Sequence, residues 1–132
     1  MTTSIHDVPG TQTVTTRVPA HAAGDATASH LVFVAPFTCR VRAVQVTASA
    51  GVTGANTNTF NLNVIRRPGT TELGNRDFTS GTNLAAFTPT DVYRPATPPI
   101  LEAGQVLDLQ RELVGTGIAT PALAVTVEYE GA

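Results

Sequence analysis

The stretch that decides the fold is Leu123-Ala124-Val125-Thr126-Val127-Glu128-Tyr129. Its apolar residues alternate with small or polar ones, so Leu123, Val125, Val127 and Tyr129 share one face of an extended chain. Alternation with period two indicates a strand that packs one face on a core and turns the other to water, as antiparallel sheets do. We therefore expect this segment to be a strand of an all-β domain.

Strand patterns and turn signals recur upstream about every 8–12 residues, as is typical of sandwiches and barrels. No window carries a convincing helical stripe, and the nearest, Leu109–Val114, ends at Gly115. The remaining strand patterns are Val14–Val18, His30–Ala35, Thr38–Ala50, Thr59–Arg66, a weak one around Asp77-Phe78, Asp91–Arg94, and a strand, tight turn and strand over Ile100–Leu109. We expect about seven or eight strands in a jelly-roll-like antiparallel β-sandwich, although a barrel would show the same alternation.

Two strand patterns contain irregular features. Between Thr38 and Ala50 the apolar phase shifts by one residue, which predicts a β-bulge near Ala43-Val44 or a strand buried on both faces there. In Thr59–Arg66, asparagines occupy the face opposite the apolar residues. That face is expected to be solvated or hydrogen-bonded to another subunit.

The chain of 132 residues has the length of one domain. Residues 1–29 are expected to form an extended N-terminal arm with one short strand, and residues 30–132 the sandwich. The stretch His21–Ser29 has small residues and no apolar face, so it is predicted to be a loop that is either floppy or ordered on a neighbouring subunit. The polar loop Gly51–Asn58 is a second expected contact segment.

Charge and hydropathy exclude several classes of protein. The net charge is −2 without a basic half, which argues against a nucleic-acid partner. No apolar run approaches ~20 residues, so no membrane span is expected. Met1–Gly10 lacks the pattern of a secretory signal, and we expect synthesis in a host cytoplasm without a signal peptide.

The sequence offers little that could carry catalysis, and we expect no enzyme, cofactor or metal. Cys39 lies on the expected core face, where a free thiol behaves as a small hydrophobe. The three histidines, His6, His21 and His30, fall in the first quarter of the chain, and only His6-Asp7 has close spacing to a carboxylate. No G-x-S-x-G nucleophile motif and no Asp-rich calcium loop occur.

Arginine supplies all eight basic residues, and the clustered ones are candidates for protein–protein contact. A guanidinium binds carboxylates through two planar hydrogen bonds, which favours it at interfaces. The alternative is ordinary solvated charge. The candidate contact residues are Arg17, Arg40, Arg42, Arg66 and Arg67.

Two segments carry a resemblance to a known family. Leu31–Val41 followed by Ala43–Val46 looks like the strand, Ala-Pro, small loop and strand that open small bacteriophage virion proteins. Leu101–Leu109 resembles the apolar–Ala–Gly–polar–apolar hairpin of jelly-roll modules in the same setting. Together with the last strand, the likeness covers roughly residues 31–130 and suggests a phage capsid decoration, or cement, protein; the arginine-only, Ala/Thr-rich composition suggests an actinobacterial phage.

The resemblance implies a structural role on the exterior of a virion. Such proteins commonly form homotrimers that clamp neighbouring major capsid subunits, so the implied partners are the major capsid protein and copies of the chain itself. The alternative is a receptor- or glycan-binding β module of a tail fibre or adhesin. An exposed cluster of Tyr93, Phe78 or Phe87 in a groove would favour that alternative.

Overall fold

The structure, a computed structural model, describes residues 10–132, and this part of the chain contains nine β-strands and no helix. The strands are β1 (Gln12–Val18), β2 (Ala28–Val34), β3 (Cys39–Ala48), β4 (Thr59–Arg67), β5 (Thr71–Asp77), β6 (Thr90–Tyr93), β7 (Ile100–Leu101), β8 (Val106–Val114) and β9 (Leu123–Gly131). No helix in this part could therefore span a membrane.

The strands form two antiparallel sheets. One has the order β1-β9-β3-β6, with β7 also paired to β3, and the other has the order β2-β8-β4-β5. The pairs β1–β9, β2–β8, β3–β6 and β4–β5 are nested like one long hairpin, and successive pairs alternate between the two sheets. This is the jelly-roll arrangement. The predicted β-sandwich is confirmed, with nine strands where about seven or eight were expected.

The core lies between the sheets and follows the alternation of the sequence. Leu123, Val125, Val127 and Tyr129 of β9 are all buried, as predicted. They face residues of the other sheet, among them Leu62 and Leu109, which are also buried. Each fully buried aliphatic side chain stabilises the fold by roughly 1.5–3 kcal/mol. Cys39 is a free thiol in this core, and burial raises its pKa.

The bulge predicted in the third strand is present. The register of β3 against β9 shifts between Val41 and Ala43, and the register against β6 shifts between Val44 and Gln45. The shift keeps Val41 and Val44 both in the core. Ala43 is buried as well, so the strand is also covered on both sides at this point.

Two local predictions were wrong. The strands within Ile100–Leu109 do not form a hairpin: after the turn at Ala103-Gly104, β8 pairs with β2 and β4, whereas β7 pairs with β3 of the other sheet. The weak strand expected around Asp77-Phe78 is β5, which ends at Asp77 and begins six residues earlier. Leu109–Val114, the nearest approach to a helical pattern, lies in the strand β8, in agreement with the expectation that no helix forms there.

The asparagine face of the fourth strand is satisfied within the chain. The side-chain amide of Asn61 donates to Glu112, and that of Asn63 donates to Gln110, each at 3.0 Å. Both acceptors lie on the neighbouring β8. Asn63 is buried. Neither open water nor a second subunit is needed to explain these residues.

The segment expected as an arm contains part of the sheet. Residues 12–18 form β1, which pairs with β9 along its whole length, from Gln12 opposite Tyr129 to Val18 opposite Leu123. Residues 19–27 connect β1 to β2, and residues 1–9 of the expected arm lie outside the described residues. The short strand predicted at Val14–Val18 is thus two residues longer and belongs to the sandwich.

Candidate binding surfaces

The arginines chosen from the sequence do not form one cluster. Arg17 lies on β1, and Arg40 and Arg42 lie on β3, all in the five-stranded sheet. Arg66 and Arg67 end β4 in the other sheet. The structure thus divides the candidate contact residues between two sheets of the sandwich.

Two of these arginines have carboxylate partners in the same chain. An Arg42 guanidinium nitrogen lies 3.3 Å from Glu130, and Arg67 Nε lies 2.7 Å from Asp108 Oδ2. Among the described residues, Arg17, Arg40 and Arg66 make no ion pair. Their positive charges are therefore more available than those of Arg42 and Arg67 to pair with a carboxylate of another molecule.

A groove on the outer face of the five-stranded sheet is the first candidate surface. It is open, with a volume of about 410 Å³. Its residues come from β1, β3 and β9 and from the segments that follow β3 and precede β6 and β9, namely Thr15, Arg17, Thr47, Ala48, Ser49, Phe87, Ala122, Leu123 and Ala124. We call it the Phe87 groove.

Phe87 is the most exposed large apolar residue that the structure describes, at 77%. Its backbone has φ 57°, in the left-handed region that costs a residue with a side chain roughly 1–2 kcal/mol. The loop holds this conformation because the Phe87 N–H donates to the carbonyl oxygen of Ala48 at 2.8 Å. Val52 and Leu84 fix the same loop through two reciprocal backbone hydrogen bonds of 2.9 Å each.

Arg17 is the one charged residue that lines the Phe87 groove. The acidic residues farther along the same sheet face have their own partner, because Arg94 contacts both Asp91 and Glu128. The hydrogen bond from Arg94 lowers the pKa of Asp91, against the opposing effect of burial. The groove itself therefore combines an exposed ring with an unpaired cation.

The second candidate surface is the sandwich edge where β1 and β2 meet. It exposes three aliphatic side chains: Val14, Leu31 at 56% and Val34 at 52%. They line a second open groove, of about 360 Å³, with the Phe33 and Tyr129 rings at its base. The ring centroids lie 4.9 Å apart. We call this surface the β1/β2 edge.

The opposite edge of the sandwich is closed. There the Tyr93 ring packs directly on the backbone of Gly74, leaving no room for a Cβ at that glycine. Arg76 also crosses from β5 and donates to the carbonyl oxygen of Asp91 at 3.0 Å. The two edges of the sandwich are thus unlike. Three of the four exposed aliphatic side chains that the structure describes lie at the β1/β2 edge, and the fourth, Ile100, lies on β7, which pairs with β3 on the same side as β6.

A cluster of polar side chains that sequence reasoning missed anchors the β1–β2 connection. Arg111, only 2% exposed, donates to the backbone carbonyls of Asp25, Ala22 and Ile118. Nearby, the Nε2 atoms of His21 and His30 lie 2.9 Å apart, and His21 Nδ1 lies 3.6 Å from Asp25. The spacing of these residues in the sequence gives no sign that they meet.

The described part of the chain offers no group of three or more His, Cys, Asp or Glu side chains that could hold a metal ion. His6 and Asp7, the closely spaced pair in the sequence, lie outside the described residues. The chemistry that the two grooves can support is contact with another molecule through apolar, cationic and hydroxyl groups.

No model of a known protein family matches the sequence, and no curated protein matches it. Among solved structures, a chain in the structure of infectious bursal disease virus, Gx strain, is similar over 96% of this chain at 14% identity, with a TM-score of 0.39. The chain spans about a third of that protein's length, since 33% of it is covered.

Proposed function

We propose that this protein is a structural component of a phage virion that binds the outer surface of the capsid and stabilises contacts between major capsid subunits. In this role it acts as a homotrimeric decoration protein and performs no catalysis. The resemblance of Leu31–Val46 and Leu101–Leu109 to small virion proteins supports the setting. The Phe87 groove and the β1/β2 edge support the role in binding.

The observation that carries the proposal is that β1 separates two exposed apolar surfaces. Val14 and Thr16 line the β1/β2 edge, whereas Thr15 and Arg17 line the Phe87 groove. Alternate residues of one strand point to opposite faces, so the two surfaces face different directions. A domain of this size can therefore contact two neighbours at once.

A cement protein requires this kind of arrangement. It must contact copies of itself and the subunits beneath it at the same time. Exposed aliphatic clusters mark surfaces that associate, and a paired or covered sheet edge is protected from unwanted aggregation. The β1/β2 edge suits the contact between copies, and the Phe87 groove suits the capsid.

The proposal is tested by mixing the purified protein with undecorated capsids of the phage that carries its gene. We expect saturable co-sedimentation and a higher temperature of capsid rupture in the mixture. Sedimentation velocity of the free protein should show a trimer. A monomer that fails to bind the capsid lattice would contradict the proposal.

One observation favours the alternative, a receptor- or glycan-binding module. Of the three rings named from the sequence, Phe78 is buried and Tyr93 packs on Gly74, but Phe87 is exposed in a groove. An exposed ring can stack on a sugar. Saturable binding to one class of sugar on a glycan array, lost in Phe87→Gly, would favour this alternative over capsid decoration.

A further inference from the structure

We infer that the Phe87 groove binds an extended, acidic segment of the partner protein, in which a carboxylate meets Arg17 and a large apolar side chain packs on the Phe87 ring. The inference rests on the proposed function in taking the partner to be a capsid subunit. It adds to that function the chemistry of the segment that is recognised.

The first argument is the energetic cost of Phe87. A left-handed backbone is unfavourable for a residue with a Cβ, and an exposed ring gains little from burial in return. The loop nevertheless fixes this conformation through the hydrogen bond to Ala48. Backbone strain that the surrounding structure enforces is found preferentially at functional sites. A rigid, presented aromatic ring is also the kind of residue that anchors protein interfaces.

The second argument is charge. Arg17 is the one charged side chain among the lining residues, and it makes no ion pair within the described chain. Arg42 and Arg67, by contrast, already contact Glu130 and Asp108. A guanidinium beside an apolar surface favours a carboxylate, which it binds with two hydrogen bonds. Acidic chemistry in the ligand therefore complements the groove.

The third argument is the shape of the groove floor. Small residues form it, with Thr15 and Thr47 beside Ala124. The hydroxyls of Thr15 and Thr126 are paired at 3.0 Å, so that part of the face is already hydrogen-bonded. A floor of small side chains leaves room for a polypeptide in extended conformation. The lining contains one aromatic ring, so it lacks the second ring that would sandwich a sugar.

The test uses two variants of the intact protein and one matched control. Arg17→Glu reverses the charge, and Phe87→Gly removes the ring while permitting the same φ. Asn75→Glu adds an acidic charge at an exposed position of β5 in the other sheet. Thermal unfolding first establishes that each variant is folded. Binding is then measured to undecorated capsids and to an array of synthetic 12-residue peptides that pair Asp or Lys with Leu, Phe or Ser at several spacings.

We expect Arg17→Glu and Phe87→Gly each to weaken capsid binding at least about tenfold, with Asn75→Glu close to the unmodified protein. On the array, the unmodified protein should retain peptides that combine Asp with Leu or Phe. Arg17→Glu should shift the preference to Lys, and Phe87→Gly should remove the preference for the apolar residue.

Other outcomes would overturn the inference. Capsid binding that is unchanged in both variants would place the contact elsewhere and leave the proposed function standing. Sugar binding lost in Phe87→Gly would assign the groove to a glycan, and trimers lost in that variant would assign it to a second copy of the chain. If the unmodified protein does not bind capsids, the proposed function fails; an array without acidic–apolar preference contradicts the groove chemistry in either case.

Discussion

The Nε2 atoms of His21 and His30 lie 2.9 Å apart, a distance at which the two rings can share one proton. Two positive imidazoles at this distance would repel each other. The pKa of His30 is lowered from its ordinary value of 6.5, chiefly by burial and then by His21, while Asp108 acts in the opposite direction. The pair joins the β1–β2 connection to the strand that follows it.

This pair predicts that the protein loses stability in mild acid. Because the folded pKa of His30 lies below 6.5, the unfolded chain binds the proton more readily, and the free energy of unfolding falls as pH drops through and below 6.5. His30→Gln should reduce this dependence. Urea unfolding between pH 5 and pH 8 measures it, and equal slopes for the two proteins would contradict the prediction.

Arg111 is expected to be essential for the loops at its end of the sandwich. Arg111→Met leaves the carbonyl oxygens of Asp25 and Ile118 without their donor, which should reduce the free energy of unfolding by roughly 2–4 kcal/mol. Arg17→Met, on the exposed side of the sheet, should change it by no more than about 0.5 kcal/mol. Urea titration compares the two variants, and a small effect at Arg111 would show that its hydrogen bonds to these carbonyls contribute little to stability.

The contact between Gly74 and Tyr93 predicts a coupled effect on stability. A Cβ at position 74 would overlap Tyr93 Cδ1, so Gly74→Ala must displace the ring and should cost about 1–3 kcal/mol. In a Tyr93→Ala background the same substitution should cost much less. A double-mutant cycle measures this coupling, and additive effects would contradict direct packing.

Phe87 should be dispensable for folding. Phe87→Gly keeps the left-handed conformation but removes its steric cost, so we expect the free energy of unfolding to be unchanged or to rise by up to about 1 kcal/mol. Ala85→Gly, in the same loop without a positive φ, should lower it by a few tenths to 1 kcal/mol. Thermal unfolding of both variants measures these changes. A large loss of stability in Phe87→Gly would indicate that the ring stabilises the fold.

The sequence predicted strands best where one face is buried. In β9 the alternation from Leu123 to Tyr129 identified the core residues, because period two is the period of the strand itself. The bulge at Ala43-Val44 was predictable for the same reason. The edge strand β5 has few buried side chains, so it carries no alternation and was placed too late.

Pairing and conformation were less predictable than strand identity. The pattern of Ile100–Leu109 marks two strands and a turn, but nothing local states that they join different sheets. Arg111 and Asp25 are far apart in sequence, so the carbonyl contacts of the arginine have no local signal. The left-handed φ of Phe87 arises from the anchoring of its loop on Ala48, which the residues around it do not indicate.

Binding on both sides of β1 is tested most directly by cryo-electron microscopy of capsids mixed with the protein. We expect density for trimers in which the Phe87 groove faces a capsid subunit and the β1/β2 edges face one another. Density in which the protein contacts the capsid through the opposite, closed edge, where β5 and β6 meet, would contradict binding on both sides of β1. Capsids that remain bare at saturating protein would also contradict it.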